Sequence, residues 1–358
     1  MSSKPRVVEL FAGAGGLSLG LEQAGFEIIL ANEILRDSAA THELNHPGVP
    51  VICGDVHEVD FRSELESLGS GPVDLLSGGP PCQGFSSVGS KNSRDPRNSL
   101  FYEFLRAVRE VKPTYVLFEN VAGFARLYGG QAHQTLQREL AELGYETSSA
   151  LCDASDYGLP QIRKRTIVIG ALEGRAPFAF PKVTHAKARK LTLLEAISDL
   201  PELEVGESAD RYASAPQNAY QKRMRKGAGQ VLTDHDCTSY GERMQEILRL
   251  VPPGGCVVDL PERLQPASAF KNSYARLVGD QPSTTVTRNF GTPSSARCIH
   301  PHQNRALSTR EGARLQSFPD SYRFAGGKTS KNLQIGNSVP PLLGRVIAEQ
   351  IRAALEAC

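Results

Sequence analysis

Four side chains in this sequence stand where a nucleophile and its assistants would: Cys82, Glu119, Arg163 and Arg165. Cys82 follows Gly78-Gly79-Pro80-Pro81, which closes an apolar run at residues 73–77. Glycines end a strand and paired prolines stiffen the turn after it, so the thiol is presented at a strand's carboxyl end. A lone cysteine is ordinarily an inert core residue, but Cys82 stands outside its apolar run. The nucleophile is the thiolate, a minor species near neutral pH, so it needs a cation or helix dipole nearby. Arg163 or Arg165, in Gln161-Ile162-Arg163-Lys164-Arg165, could supply one. Glu119 opens Glu119-Asn120-Val121 at the end of a second apolar run, residues 115–118. Between these groups, residues 83–99 form a long polar stretch carrying Lys91, Arg94 and Arg97. Connections of that length are often lids, and a basic lid beside a nucleophile suits closure over a nucleic acid.

A second constellation lies upstream. Phe11-Ala12-Gly13-Ala14-Gly15-Gly16 follows one apolar run and opens an amphipathic stretch, so its glycines let a ligand approach the backbone where helix N–H groups are exposed. The spacing is not the GxGxxG of dinucleotide sites, and a glycine-rich turn alone is a weak signal. Two acids strengthen it. Glu33 ends the next apolar run and could take both hydroxyls of a ribose; Asp55, before Val56, ends the one after and could accept from an adenine amino group. Taken singly, each acid reads more simply as a helix cap or a surface charge. Gly, Glu and Asp at three successive strand ends favour a nucleoside cofactor. No phosphate-binding Lys-Ser/Thr pair accompanies them, which points away from ATP and toward S-adenosylmethionine.

The elements that must position these groups alternate. Apolar runs at 7–11, 27–31, 51–53, 73–77, 115–118 and 166–170 read as strands; periods near 16–24, 99–111 and 133–143 read as helices. That order predicts an α/β fold, a Rossmann-like, doubly wound, mainly parallel sheet with ligands beyond the strands' carboxyl ends. After about residue 175 the chain turns rich in Pro, Gly and Arg, with short helices expected near 191–199 and 240–250. Residues 340–355 carry one apolar stripe that must pack on something, and the sheet is the natural partner. The expected organisation is therefore a catalytic domain of residues 1–180 and 330–358, interrupted by a smaller domain at 181–329.

Cysteine, glutamate and arginine together suit addition to an electron-poor ring. A thiolate adding at C6 of cytosine, with a carboxyl group on N3 and the exocyclic amine, makes an enamine-like ring whose C5 can attack a sulfonium methyl; arginine can hold O2 and the developing charge. Across nearly the whole chain, and in order, the motifs resemble those of the cytosine-C5 DNA methyltransferase family: the loop from Phe11, Glu33, Asp55, Pro80-Pro81-Cys82-Gln83, Glu119-Asn120-Val121, Gln161/Arg163/Arg165, a late Arg310–Pro319 stretch, and Gly336-Asn337-Ser338-Val339-Pro340. Ile34 stands where an aromatic residue is common in the family, and Gly312 where alanine is usual.

The resemblance implies Cys82, Glu119, Arg163 and Arg165 as catalytic residues. It implies cofactor contacts from Phe11, Gly13, Gly15, Gly16, Glu33, Asp55, Val56, Pro80, Leu100, Asn337, Ser338 and Val339, the last three in a motif that returns to the cofactor pocket. DNA contacts are expected from Gln83, Arg97 and Arg288, with the basic stretch Lys222-Arg223-Met224-Arg225-Lys226 and residues 285–290 around Arg288 as further candidates. The middle domain becomes a target-recognition domain. The target base is flipped out of duplex DNA, at a cost of roughly a few kcal/mol, and methylated from S-adenosylmethionine, leaving S-adenosylhomocysteine. The Arg310–Pro319 stretch reads as a helix scaffolding the recognition domain. Two rivals remain at this point: an RNA cytosine methyltransferase on the same fold, which usually has a shorter recognition region, and a catalytically dead DNA-binding regulator, against which the intact Cys82, Glu119 and Arg163 speak.

Bulk properties narrow the setting. Hydrophobic residues make up 40% and charged residues 22% of the 358, ordinary for a globular chain with room for two cores. With 40 Lys+Arg against 39 Asp+Glu, DNA must be met through one basic face rather than an overall charge. Seven cysteines without a CxxC pair argue against a disulfide scaffold or structural zinc; His300 and His302 read as solvated or DNA-facing, and no metal is expected. No signal-peptide segment or long apolar run is present. The expectation is a cytoplasmic bacterial protein associated with the nucleoid through DNA, stand-alone, monomeric and independent of membranes, with a cognate restriction endonuclease as a possible partner. The recognition sequence is not legible, because it depends on which side chains reach base edges.

Overall fold

The computed structural model describes residues 4–69, 71–81, 99–267, 270 and 272–357. The chain forms two compact units: the first comprises residues 1–153, 164–182 and 343–358, the second residues 154–163 and 183–342. Among the described residues, no helix is long and apolar enough to cross a membrane.

The first unit is built on a seven-stranded sheet of order β3-β2-β1-β4-β5-β7-β6. Its strands are β1 (Arg6–Leu10), β2 (Glu27–Glu33), β3 (Val51–Cys53), β4 (Leu75–Gly78), β5 (Tyr115–Val121), β6 (Tyr145–Asp153) and β7 (Lys164–Leu172). The first five pair in parallel. β7 runs antiparallel to both β5 and β6. The reason is the connection: only residues 154–163 join β6 to β7, too few for the helical crossover that a parallel neighbour requires.

Helices α1 (Gly16–Gln23), α2 (Arg36–Asn45), α3 (Phe61–Ser67), α4 (Ser99–Val111) and α5 (Gln131–Glu142) belong to this unit. On α4, Phe101, Phe104, Leu105 and Val108 recur at helical spacing and are all buried. They join Leu10, Leu30, Leu76, Val116 and Phe118 in one core, and Phe104 meets Phe118 edge-on at 5.3 Å between ring centroids. Each such side chain contributes about 1.5–3 kcal/mol of burial. The helix α11 (Pro341–Glu356) belongs to this unit from Leu343 onward. A Cβ added at Gly344 would lie 3.0 Å from Leu17, and Arg352 donates to the Ala24 carbonyl at 3.0 Å.

The second unit has little regular structure: the two-stranded parallel pair β8 (Ala275–Arg276) and β9 (Arg297–Ile299), and the helices α6 (Leu193–Ile197), α7 (Ala219–Met224), α8 (Glu242–Leu250), α9 (Thr309–Leu315) and α10 (Lys328–Asn337). A small apolar core gathers Ile247, Leu248, Val251, Val257, Leu260, Leu264 and Ile299. Buried arginines do much of the remaining fastening. Arg276 donates to the carbonyls of Leu248, Val251, His300 and Gln303. Arg305 holds Glu311 by two bonds of 2.8 and 2.7 Å, and Arg314 joins Asp199 to Asp320. Every residue of α9 is buried, so this late motif scaffolds its own unit.

Two expectations are revised. The second unit keeps residues 154–163 and extends to Leu342, because Gln161 and Arg163 bond inside it. His300 is not solvated: it is buried, its Nδ1 accepts from the N–H groups of His302 and Gln303, and burial lowers its pKa to about 4. His302 alone of that pair is exposed.

Candidate active site

β1 leads into the glycine-rich loop. Phe11, Gly13 and Gly15 each take the left-handed conformation, at φ 55°, 57° and 79°. A non-glycine residue there is uncommon, and Phe11 is held by packing against the core. Gly13 has nothing within 4 Å of where a Cβ would stand. Gly15 caps α1 without a side-chain bond, so the helix presents its first N–H groups to whatever lies before it. Glu33, at the end of β2, folds back on this loop: its two oxygens accept from Gly13 N and Leu35 N, both at 2.8 Å. Burial raises the Glu33 pKa, opposed by the N–H groups of Leu35, Gly13 and Ile34.

The other expected cofactor residues divide. Phe11 and Leu100 pack against one apolar cluster, and Val56 is part of it. Val56 is nearly fully buried and its carbonyl accepts from Arg106 at 2.8 Å. Asp55 is half-exposed and caps a short 3-10 turn: one oxygen accepts from His57 N at 3.0 Å and meets His57 Nδ1 at 2.6 Å. Those bonds to His57 lower its pKa. Ile34 is 61% exposed. Asn337, Ser338 and Val339 belong to the second unit; there Asn337 is exposed and Ser338 is buried.

The groups fit a nucleoside donor such as S-adenosylmethionine. An anchored carboxylate keeps lone pairs for a diol, the space over Gly13 is open, and an uncapped helix start faces the loop.

At the sheet's centre, β4 and β5 end side by side. Cys82, Gln83 and Arg97 lie outside the described residues; what is described is the approach to the thiol. A Cβ at Gly79 would fall 2.9 Å from Glu119 Oε2 and 3.4 Å from the Glu119 carbonyl, so only glycine leaves this carboxylate its place. Asn120 Nδ2 donates to the Pro80 carbonyl at 3.0 Å, fixing the chain two residues before Cys82. Opposite, Arg165 on β7 pairs with Glu119: Nε to Oε1 is 2.8 Å, with both side chains largely buried. The antiparallel register aligns Glu119 with Ile167 and Val121 with Arg165, which brings the arginine within reach.

Arg163 has different partners from those expected. It lies in the second unit, 1% exposed, donating to the carbonyls of Val286, Gly336 and Ser338 at 2.9–3.0 Å. Gln161, for which no role was foreseen, is equally buried: it donates to Leu315 O and Gln316 Oε1 and accepts from Val286 N. Gly336 lets the backbone at Thr287 and Arg288 pass within 2.4–2.5 Å of a hypothetical Cβ, and Gly312 leaves the notch that the Phe290 ring fills. The segment bearing Arg288 is thus clamped by its backbone, with the Arg288 side chain exposed. Among the described residues, no group of three or more His, Cys, Asp or Glu could hold a metal.

A family profile described as C-5 cytosine-specific DNA methylase matches residues 5–353. The type II methyltransferase M1.HphI of Haemophilus parahaemolyticus is 35% identical, over 96% of this chain and 86% of its own. M.Eco47II of Escherichia coli is 36% identical, over 96% and 78%. A prophage-encoded E. coli protein, solved as a candidate DNA modification methyltransferase, aligns with a TM-score of 0.81 at 26% identity, covering 99% of this chain and 100% of that one. With the site's motifs in the family's order and the match spanning nearly the whole chain, this protein belongs to the C-5 cytosine-specific DNA methylase family and is a DNA (cytosine-5-)-methyltransferase.

Proposed function

We propose that the chain methylates C5 of a flipped-out cytosine within a specific duplex DNA sequence, through a covalent bond between Cys82 and C6. The observation that carries this reading is the Glu119–Arg165 pair at the end of β5. Gly79 packs against it, and Asn120 holds Pro80. These contacts set a carboxylate and a guanidinium beside the segment that delivers the thiol.

In this mechanism the Cys82 thiolate places its electron pair on C6. The ring's displaced electrons are stabilised as Glu119 shares a proton at N3, and C5 becomes nucleophilic. Arg165 keeps the Glu119 carboxylate in place and offers its remaining N–H groups to the ring oxygen. S-adenosylmethionine, when bound, supplies an electrophilic methyl group. Glu33 would hold its ribose, Gly13, Gly15 and Gly16 would give it room, and Phe11, Asp55, Val56, Pro80 and Leu100 with Asn337, Ser338 and Val339 would complete the contacts. A base then takes the C5 proton, the C6–S bond breaks, and the thiolate is regenerated with N3 returning its proton to Glu119.

The second unit is assigned target recognition, with Arg288, Lys222, Arg223 and Lys226 as DNA contacts beside Gln83 and Arg97. Arg163 is assigned to holding the recognition segment rather than to chemistry. The setting is the bacterial cell, with the chain acting as a monomer; a cognate restriction endonuclease is the partner implied by the type II relatives.

The decisive experiment is a covalent trap. A duplex carrying 5-fluorocytosine, incubated with enzyme and S-adenosylmethionine, should give a stable adduct that Cys82→Ala abolishes. Persistence of the adduct in Cys82→Ala overturns the nucleophile. Methylation of transfer RNA in preference to duplex DNA overturns the substrate. Sequencing for 5-methylcytosine after expression in a methylation-free host reads out the target.

A further inference from the structure

Beneath the glycine-rich loop lies a buried polar chain that the proposed chemistry does not use. Glu9 on β1, Ser18 on α1 and His42 on α2 are each at most 2% exposed. Ser18 Oγ lies 2.6 Å from Glu9 Oε2 and 2.8 Å from His42 Nε2. The His42 ring leans on His46 at 4.4 Å between centroids, and His46 Nδ1 reaches Glu22 Oε2 at 2.9 Å. The charged and titratable groups around the chain are therefore Glu9 from β1, Glu22 from α1, and His42 and His46 from α2.

The chain's position matters more than its burial. Glu9 precedes the loop by two residues, and Ser18 follows it in the first turn of α1, so their hydrogen bond closes the loop at its base. Within the loop, Ala12 N donates to Asn32 O, Gly15 N to Ala12 O and Gly13 N to the Glu33 carboxylate, and none of these ties β1 to α1 across its base. Three left-handed residues and an uncapped helix start give the loop little stiffness of its own.

A hydroxyl has one proton and two neighbours here. With Glu9 protonated and donating, Ser18 passes its proton toward His42 Nε2. With Glu9 ionised, Ser18 donates to the carboxylate, and His42 must supply the N–H. His42 stays neutral in both arrangements, since burial, and then His46, lower its pKa to about 3. Its Nδ1 has no hydrogen-bond partner among the described residues, so the ring is free to take either tautomer.

We propose that Ser18 is a positioning residue for the donor loop, closing it through a Glu9–Ser18–His42 chain, and that the loop's grip on the donor follows the proton carried by that chain. The proposal rests on the donor-loop reading above. Burial raises the Glu9 pKa to about 8, opposed by the Ser18 bond and reinforced by Glu22. The proton is therefore lost within the range where such an enzyme can be assayed. Ionisation then leaves a buried charge with one hydroxyl to solvate it, which loosens the base of the loop.

The test is calorimetric binding of S-adenosylhomocysteine to the full chain at about pH 6.5 and about pH 9. Wild type should bind at least about threefold more weakly at the higher pH, and Glu9→Gln, which keeps a hydrogen-bonding group but no titration, should bind equally at both. Ser18→Ala should weaken binding about tenfold at the lower pH, with affinity for duplex DNA unchanged. The imidazole nitrogen shifts of His42 should exchange tautomers in wild type over the same interval and remain fixed in Glu9→Gln. Unchanged donor affinity in Ser18→Ala, or the same pH response in Glu9→Gln as in wild type, overturns the proposal. If Ser18→Ala does not fold, the comparison of Glu9→Gln with wild type decides alone. Glu33→Ala separates the two readings: if it binds as tightly as wild type, the donor-loop assignment itself fails, whereas loss in Glu33→Ala with retention in Ser18→Ala defeats only the chain.

Discussion

Each unit buries a glutamate almost completely, and the two are handled in opposite ways. In the first unit, Glu9 faces a hydroxyl, and burial drives its pKa up to about 8. In the second, burial alone would raise Glu311 as well, but Arg305, with His300 and His235, holds it far below the ordinary carboxylate range. The same contrast runs through the arginines. Arg165, in the sheet unit, pairs with the candidate catalytic carboxylate. Arg163, in the other unit, is consumed by three backbone carbonyls. The sheet unit has a large apolar core and leaves polar groups available for chemistry. The second unit has a small core and uses its polar groups as fasteners. Residue type alone therefore says little about an arginine's job here; what decides it is how much apolar packing surrounds it.

The largest effect that would break or sharpen this contrast is on rate. Glu119→Gln keeps the shape of the pair, and turnover on a duplex substrate should fall by about 100- to 10,000-fold, while the urea midpoint stays near that of wild type. A matching loss of stability would make Glu119 a fastener too. Next comes Arg163→Met, which removes the guanidinium from three buried carbonyls, of which Ser338 O keeps a longer bond from Gln316 Nε2. It should cost about 3 kcal/mol in urea unfolding. A change well under 1 kcal/mol, roughly the size seen for exposed pairs, would place Arg163 back among the free cations.

Glu9→Gln comes third, read as stability against pH. The Glu9 pKa is raised on folding, so the stability it contributes is full below the unfolded value of 4.5 and lost as pH rises to about 8. His42 has the opposite sign: its lowered pKa costs stability as pH falls below 6.5. From pH 6.5 to about 8 the Glu9 slope stands clear of it, at about 1.4 kcal/mol per pH unit. Thermal melts across that interval should slope downward in wild type and flatten in Glu9→Gln. Equal slopes would mean that Glu9 is already ionised in the folded protein. Similar in size is Gly312→Ala, whose methyl would stand 2.2 Å from the Phe290 ring. It should lower stability by about 1–3 kcal/mol, and Phe290→Leu should restore part of that loss.

Much of the sheet unit was legible because its signals are local. The helix at 99–111 shows in the spacing of Leu100, Phe104, Leu105 and Val108, although Phe101 rather than Leu100 turns out fully buried, and the loops after β1, β2 and β4 announce themselves by glycine and acid. β6 left no trace because it is an edge strand: among Tyr145–Asp153 only Tyr145 and Cys152 are buried, so no apolar alternation survives. α2 was silent for a related reason, since its buried positions are Ser38, Ala39, Thr41 and His42. Glu9 and Ser18 did carry a signal, a carboxylate inside an apolar strand and a hydroxyl on an apolar helix face, but only the fold brings them together. The second unit resists reading because its order rests on bonds such as Arg163 to Ser338, which link distant parts of the chain through backbone atoms that no side-chain pattern encodes.

That reliance on backbone atoms bears on how such enzymes are recombined. The Arg163 guanidinium donates to three main-chain carbonyls, and Gln161 is met by a main-chain carbonyl and N–H together with the Gln316 amide. A foreign segment replacing residues 183–342 could keep this joint whatever side chains it carries, provided its backbone follows the same path at Val286, Leu315, Gly336 and Ser338. A graft that respects the path but brings new surface residues is thus a rational route to hybrids with altered recognition. One that shortens the approach to Val286 should fail at assembly, before specificity is ever tested.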